Sequence, residues 1–377
     1  MRFNDKIWKK YQFSEIYEIT NGINKDKESF GYGFPIVNYM DVNKNTFISR
    51  ELIQGKVNSL PNERIIYSVT PSDILLTRTS ETKEEIAYAS CLLEPVDNCV
   101  FSGFLLRARP KNNENIPVFI AYLLRSNKYR NELMKLSTMT SRALINSDNL
   151  GKLQIKIPNK ETQVKISNFL TTIDKRMTTQ SKIIKNYESL ICSLRNIIFS
   201  NNKWKWIRLD KLVESKIIEL KRGNIIPKHT KDSKYCYPVY SSSVHNNGLM
   251  GYHNTFMFDK ELITWSVDGG GDFFYRNKHK FNVTNVCGIM ETTNNKYDYL
   301  FLSEILKHQH QKLLFDYQTK AHPSVIIKLY YLPEVEISNQ KSIAKIFKMY
   351  YEKLQKEKDI LELYKKQKAY LLQNMFI

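Results

Sequence analysis

QVKISNFLTTIDKRMTTQSKIIKNYESLICSLRNIIF, residues Gln163 to Phe199, returns at the end of the chain as QKSIAKIFKMYYEKLQKEKDILELYKKQKAYLLQNMF, Gln340 to Phe376. The two stretches align without a gap at an offset of 177 residues. Gln163/Gln340, Ile166/Ile343, Ile183/Ile360, Tyr187/Tyr364, Leu194/Leu371 and Phe199/Phe376 are the same residue in both. A repeat on this scale decides the architecture before any local reading does. Both copies predict long helices. In the first, Ile166, Leu170, Ile173, Met177, Ile184, Tyr187, Ile191 and Leu194 recur at steps of three and four around Gln180. In the second, Ile343, Phe347, Tyr350, Leu354, Leu361, Tyr364 and Leu371 repeat the spacing around Glu357. A seven-residue apolar repeat keeps one seam facing a partner helix. Neither run holds Gly or Pro, and Asn159 and Ser338 stand before them as N-caps. One such run alone would read as an ordinary core helix. Two in one register, each closing a similar half-chain, predict that they pair with each other.

The 377 residues suffice for two or three domains with their own cores. Fifty-seven Lys and Arg against 38 Asp and Glu leave a net charge of +19, spread along the chain rather than held in a tail. A field of that sign favours phosphate partners, nucleic acid first and anionic membrane second. Five cysteines (Cys91, Cys99, Cys192, Cys236 and Cys287), with no C-x-x-C pair, argue against a disulfide framework and a zinc ribbon, and predict a reducing, cytoplasmic setting. The opening MRFNDKIWKKYQF has no apolar core of a secretory signal, and no apolar run is long enough for a membrane span.

The halves also begin alike. Trp8-Lys-Lys-Tyr-Gln-Phe13 aligns with Trp204-Lys-Trp-Ile-Arg-Leu209 at an offset of 196, so the second half is shorter by 19 residues in its middle. Length change confined there is what loops on a shared scaffold show. Asp73–Arg78 matches Glu261–Ser266 as a short buried strand, and Ser102–Arg107 matches Cys287–Glu291 as another. Pro117–Leu136 and Tyr299–Phe315 read as equivalent amphipathic helices. Each half is thus a mixed α+β domain followed by a helical arm, with the break at Ser200-Asn201-Asn202.

The eleven prolines are never adjacent, so the Pro-Pro loop of an adenine methyltransferase is absent, and no Gly-rich Gly-Lys-Ser/Thr loop exists for a nucleotide-binding ATPase. Pro71-Ser-Asp73 with Glu81-Thr-Lys83 falls short of a metal-dependent nuclease core and reads as a solvated loop. His308 and His310 lie two apart on a helix, which turns them to different faces and predicts surface positions rather than a shared metal. Asp268-Gly-Gly-Gly-Asp272 fits a flexible turn or a close phosphate approach equally well. Ser241-Ser-Ser243 with His245, Asn246 and Asn247 forms a second polar cluster.

Taken together, the two half-repeats, each opening Trp-Lys and ending Gln-x-x-Ile before a long helix with Phe near its end, resemble the specificity subunit of Type I restriction–modification systems. Ile157-Pro158 before Gln163, Val96 to Pro110, and Ile263–Asp268 through Asn285–Gly288 carry further parts of that resemblance, which spans nearly the whole chain. It implies an α+β chain in which two similar mixed α/β target-recognition domains, 1–160 and 201–338, are separated by long spacer helices, 161–200 and 339–377, pairing as an antiparallel coiled coil. Each domain would read one half of a gapped, two-part target in double-stranded DNA. Two modification subunits would dock on the helices, carrying S-adenosylmethionine and methylating adenine, and restriction subunits would join with ATP and Mg. The chain itself would be non-catalytic and bind no cofactor or metal.

The loop residues expected to meet DNA are Thr77, Arg78, Ser80, Lys83, Ser141 and Arg142 in the first domain. In the second they are Ser241, Ser242, His245, Asn246, Asp268, Arg276, Lys320 and His322. Arginine is the residue that pairs with guanine or phosphate in two hydrogen bonds. The competing reading is a coiled-coil structural or interaction protein whose basic surface binds DNA without sequence preference. A helix of 37 residues spans ~55 Å, on the order of sixteen base pairs, which suits two readers on one duplex. Antiparallel pairing would set Gln180 and Glu357 near the middle of the seam, where a polar layer costs stability and holds register. We therefore expect that replacing both by Leu raises the melting temperature and loosens the spacing of the methylated target. Unchanged melting together with strict spacing would discard that role.

Overall fold

The structure is a computed structural model and describes residues 8–200, 204–243, 245–268, 270–293, 295–313 and 321–376. The chain divides into two compact units. One runs to Gln180 and takes in the residues from Ile360 onward; the other is Ser181–Asp359. Each unit therefore holds the start of one long helix and the end of the other.

In the first unit the opening strand Lys9–Gln12 pairs antiparallel with Gln154–Ile157, the last strand before the helix Lys160–Phe199. A five-stranded sheet follows in the spatial order Tyr17–Asn21, Leu105–Pro110, Ile74–Thr77, Ala89–Leu92, Phe47–Ile48. Ile74–Thr77 is buried along its whole length, as a short apolar run between polar loops should be. The helix Pro117–Arg125 lays Phe119, Ile120, Tyr122 and Leu123 into the core over this sheet.

The expected single helix to Leu136 is in fact two. Ser126 is extended at ψ 150°, its hydroxyl donates to the Leu123 carbonyl at 2.6 Å, and Asn127–Leu136 starts afresh. The break lets Arg125 turn inward and donate to the carbonyls of Ala89, Val42 and Asn45 at 2.6–2.7 Å. Asp73, expected in a solvated loop, is fully buried and accepts two hydrogen bonds from Arg109 at 2.8 Å.

The second unit repeats this frame. Trp206–Arg208 pairs antiparallel with Tyr331–Pro333, again just before a long helix, Ile337–Asn374. Its main sheet runs Ile218–Arg222, Cys287–Thr292, Leu262–Ser266, Phe273–Arg276, so four strands keep the order of the first unit. Side sheets match as well: Phe30–Val37 pairs in parallel with Val100–Phe101, and Tyr237–Tyr240 in parallel with Lys280–Val283. The helix expected over Tyr299–Phe315 ends at His310, and residues 314 and 315 lie outside the described residues. The second arm helix begins at Ile337, so Ser338 sits inside its first turn, whereas Asn159 does cap the first by accepting from the Thr162 amide at 3.0 Å. His308 and His310 are not surface residues. His308 is buried against Asn196 Oδ1 at 3.1 Å, and His310 meets the Tyr330 hydroxyl at 2.9 Å. Burial holds both imidazoles below their ordinary pKa.

Within each unit the two arm segments run antiparallel. In the first unit Ile166 and Leu170 share a core with Met375 and Phe376, and Asp174 pairs with Lys368 at 2.6 Å. In the second unit Phe199 stacks on Phe347, Arg195 bonds Tyr351, and Glu188 pairs with Lys358. Buried positions fall at Ile166, Leu170, Ile173, Gln180, Ile184 and Ile191 on the first helix, and at Gln340, Ala344, Phe347 and Leu354 on the second. Met177, Tyr187, Leu194, Ile343, Tyr350, Leu361, Tyr364 and Leu371 line the same stripe half-buried.

The first repeated residue of the arms explains how each helix is anchored. The Gln163 side-chain carbonyl accepts from the amide of Ile116, just before the helix Pro117–Arg125, and its amide nitrogen donates to the Pro158 carbonyl. Gln340 does the same toward the amide of Asp298, just before Tyr299–His310, and toward the carbonyls of Val335 and Lys296. Gln163→Leu or Gln340→Leu would strand these groups, and an unsatisfied buried partner costs ~1–3 kcal/mol. We expect each substitution to lower the unfolding free energy by about that amount in a urea titration. A loss within experimental error of zero would show that water replaces the amide.

Candidate nucleic-acid interface

The hairpin Thr138–Met139/Ala143–Leu144 pairs edge-on with Thr79–Ser80, forming a three-stranded sheet beside the main one. This arrangement brings four sequence-predicted residues toward one edge of the first unit. Ser141 and Arg142 are exposed at the hairpin turn, closed by the Thr140 amide on the Arg142 carbonyl. Ser80 and Arg142 share the wall of a depression of about 380 Å³ with Tyr39, Met40, Glu81, Glu85 and Phe104. Lys83 is exposed on the short turn Lys83–Glu85 that follows. Ser80 itself is largely covered, its hydroxyl facing the Glu85 carboxylate and the Tyr39 hydroxyl at 3.4 Å. Arg78 is half-buried and donates to the Gly103 carbonyl at 3.3 Å, tying the strand end to the Phe104 loop.

Thr77 was expected at the surface and is fully buried. Its hydroxyl donates to the Glu85 carbonyl and accepts from the Tyr88 amide, at 3.0 and 2.9 Å. It thus shapes the turn that presents Lys83 and Glu85. Phe104, 55% exposed at the rim, was missed by sequence reasoning, because an aromatic inside the run VFSGFLLRARP reads as core. Tyr39, Met40 and Glu85 carried no sequence signal. They reach the depression only because their elements fold beside Ser80.

In the second unit the matching edge carries the polar cluster. His245 and Asn246 are exposed, and Asn246 and Asn247 both take the left-handed conformation, φ 49° and 51°, ahead of Gly248 at φ 79°. Asparagine is among the few residues that tolerate this backbone. Ser242 is half-buried and its carbonyl accepts from the Ser266 hydroxyl at 2.8 Å. Asp268 is half-buried at the start of the glycine loop. His322 is exposed and caps the helix Pro323–Leu329 through Nδ1. Lys320 lies outside the described residues.

Ser241 and Arg276 were also expected to face solvent and do not. The Ser241 hydroxyl accepts from Thr284 at 3.1 Å inside the unit. Arg276 is 4% exposed, stacked with its guanidinium carbon 3.6 Å from the Tyr240 ring centre, and donates through Nε to Thr264 at 3.0 Å. Burial pushes its pKa down to about 10. The arginine thus braces the loop His245–Gly248 from beneath. Among the described residues no group of three or more His, Cys, Asp or Glu could hold a metal ion, and no helix is long and apolar enough to cross a membrane.

Comparison with known proteins follows the same division of the chain. The family model described as "Type I restriction modification DNA specificity domain" matches residues 5–187 and again 201–364. A Mycoplasma pneumoniae protein named as type I specificity subunit S.MpnORF365P is 30% identical over 196 residues, covering 50% of this chain and 70% of that one. The specificity subunit of the M. pneumoniae type I restriction enzyme MpnII is 36% identical over 124 residues, 32% of this chain and 36% of that one. The crystal structure of a type I restriction–modification S subunit from M. genitalium superposes with a TM-score of 0.62 at 18% identity, covering 100% of this chain and 98% of that one, a likeness of fold. Two matched copies of one domain, on two copies of one frame, place the chain in the family of DNA specificity subunits of Type I restriction–modification systems.

Proposed function

We propose that residues 1–160 and 201–338 act as two target-recognition domains, each reading one half of a gapped target in double-stranded DNA. The observation that carries this reading is the duplicated frame itself. Strand order and anchoring glutamines are shared, while the described edge loops differ, a hairpin at Thr138–Met139/Ala143–Leu144 in the first unit and a left-handed Asn246-Asn247-Gly248 turn in the second. A scaffold held constant beneath divergent polar loops suits two readers of different sequences. Lys83, Ser141 and Arg142, with Arg78 and Ser80 behind them, are the contacts assigned to the first domain. Ser242, His245, Asn246, Asp268, Lys320 and His322 are assigned to the second. Thr77, Ser241 and Arg276 hold these loops from inside.

The arms, 161–200 and 339–377, set the spacing and dock two modification subunits. A second apolar stripe outside the seam supports this. Phe169, Leu190 and Ile197 are 48, 44 and 75% exposed, and Ile346 and Ile360 are 41 and 38% exposed. Ile183, Leu190 and Ile197 follow one another at steps of seven, and Phe169 and Ile346 occupy the same position of the repeat. Phe169/Ile346 and Ile183/Ile360 are apolar in both copies, and these shared positions suit two copies of one partner, whereas Gln367 and Asn374 stand where the first copy has Leu190 and Ile197. The modification subunits supply S-adenosylmethionine and methylate adenine. Restriction subunits supply ATP and Mg chemistry, and the assembly works in the cytoplasm. The present chain contributes recognition and no catalytic group.

Single-molecule sequencing of genomic adenine methylation, with and without this gene, tests the reading. Loss of one gapped two-part motif on deletion is expected. An unchanged pattern, with no methyltransferase co-purifying with the chain, would overturn it. Within the complex, Arg142→Ala should leave the melting temperature unchanged and weaken DNA binding, by ~1–3 kcal/mol at one base position if it reads guanine. Arg276→Ala should instead cost ~2 kcal/mol of stability through lost packing on Tyr240. The reverse pattern would exchange the two roles.

A further inference from the structure

The depression at the recognition edge of the first unit has the wrong charge for a phosphate site. Two carboxylates, Glu81 and Glu85, line it against one guanidinium, Arg142, in a chain that carries +19 overall. Lys83, between the two acids in the chain, lines a different depression. Phosphate oxygens are repelled by the pair of acids, so a duplex seated here must present something other than its backbone to them. Glu81, Glu85 and Arg142 are all exposed, and among the described residues none of the three enters an ion pair. A charged acceptor and a charged donor thus share one depression without closing on each other.

The hydrogen bonds behind Glu85 all run one way. Asn43 Nδ2 donates to the Tyr39 hydroxyl at 3.1 Å, that hydroxyl donates to Ser80 Oγ at 3.4 Å, and the Ser80 hydroxyl donates to Glu85 Oε2 at 3.4 Å. The last two are long, so they orient the carboxylate without saturating it. An ionised carboxylate accepts at about four sites and donates at none. Its open sites therefore call for N–H or O–H donors. Met40 and Phe104, 49% and 55% exposed, line the same depression and are apolar. A surface pressed onto them loses its water, and a mismatched polar group beside them then goes unrelieved.

We propose that Glu85 is a specificity-determining residue of the first domain, accepting from the N4 amino group of a cytosine in the major groove while Arg142 donates to O6 and N7 of the guanine paired with it. The assignment rests on the DNA-reading function proposed above and names the base pair that this edge takes. A G·C pair alone sets two adjacent acceptors, for the guanidinium fork, next to one amino donor, for the carboxylate. A thymine in place of the cytosine would turn O4 toward the carboxylate, acceptor against acceptor, and leave both unsatisfied. The carboxylate thus rejects as much as it selects. Because it repels phosphate, it adds nothing to sequence-independent attraction, which separates its role from that of the exposed cations nearby.

The test is Glu85→Ala and Glu85→Gln in the full chain assembled with its modification subunits. The methylated motif is read by single-molecule sequencing, and melting temperature and affinity for duplexes with and without the target are measured beside it. One half of the wild-type motif should hold a G·C pair that Glu85→Ala opens to other pairs, with the preference there falling about tenfold or more. The other half and the gap should stay the same. Glu85→Gln should admit adenine in place of the cytosine, because glutamine bonds N6 and N7 of that base. Neither variant should melt lower, since the Thr77 hydroxyl holds the Glu85 backbone carbonyl rather than its side chain. An unchanged motif in both variants, or relaxation at an A·T pair, overturns the proposal and leaves the DNA-reading function standing. So does a uniform rise in affinity on all duplexes, which would set Glu85 beside phosphates. Loss of methylation with lower melting in both variants would make Glu85 a structural group and also overturns it. A wild-type complex that methylates no gapped motif overturns the DNA-reading function instead, and this assignment with it.

Discussion

A buried primary amide is the point on which each half of the molecule turns. Gln163 and Gln340 are 2% and 1% exposed, and each joins three pieces of chain, one of them 47 residues away in the first case and 42 in the second. One piece is the first turn of an arm helix. Another is the strand exit five residues before it, and the last is the entry to the helix that covers the sheet. An amide can do this because it offers an acceptor and donors on one short, neutral side chain. A carboxylate would repel the carbonyl, and an apolar residue would leave both backbone groups unsatisfied. Recognition domain and arm are thereby set at a defined angle within each unit.

The far ends of the arms are held by aromatic packing. In the first unit Phe376 meets Phe119, which meets Trp8; in the second Phe199 meets Phe301, which meets Trp204. Each domain is thus closed by the terminal phenylalanine of a helix that ends on it, and the repeated Trp and Phe serve one purpose. A hydrogen bond between phenol and carboxylate adds to this, with its partners exchanged between units. Tyr122 on the covering helix donates to Asp174 on the arm at 2.6 Å, whereas Tyr351 on the arm donates to Glu304 on the covering helix at 2.8 Å. A cation from the other arm segment completes each, Lys368 in one case and Arg195 in the other. Burial alone would raise the Glu304 carboxyl, but Lys307 and Arg195 beside it hold it below the ordinary carboxylate range. The bond matters for position, and its direction is indifferent, so the two halves diverged there without cost.

Against this shared frame the surfaces have separated. The first unit presents a hairpin turn and a rimmed depression. The second presents a left-handed Asn-Asn-Gly loop braced by a buried arginine. Arg276 shows how a basic residue expected at the surface can instead be packed inside. Its guanidinium fills space between Tyr240 and Phe274 and fixes the strand beneath the loop. Charge read from composition therefore overstates what is available at the surface.

The duplication, the two long helices and the seam were determined by the sequence alone, because apolar spacing at three and four residues and ungapped identity are properties of the chain itself. The strands Ile74–Thr77 and Leu262–Ser266 were legible for the same local reason. Other features were decided only by the tertiary structure. Thr77, Ser241 and Arg276 look like loop residues in sequence, yet neighbours from other segments cover them and bond the two hydroxyls and the Arg276 Nε. Asp73 and His308 were drawn inside by Arg109 and Asn196, partners 36 and 112 residues away. Phe104 went the other way, held at a rim by a turn. The pairing of Lys9–Gln12 with Gln154–Ile157 closes almost the whole first domain, and no local pattern encodes its register. Burial and charge proximity are sums over contacts between remote segments, so they exist only once the chain has folded.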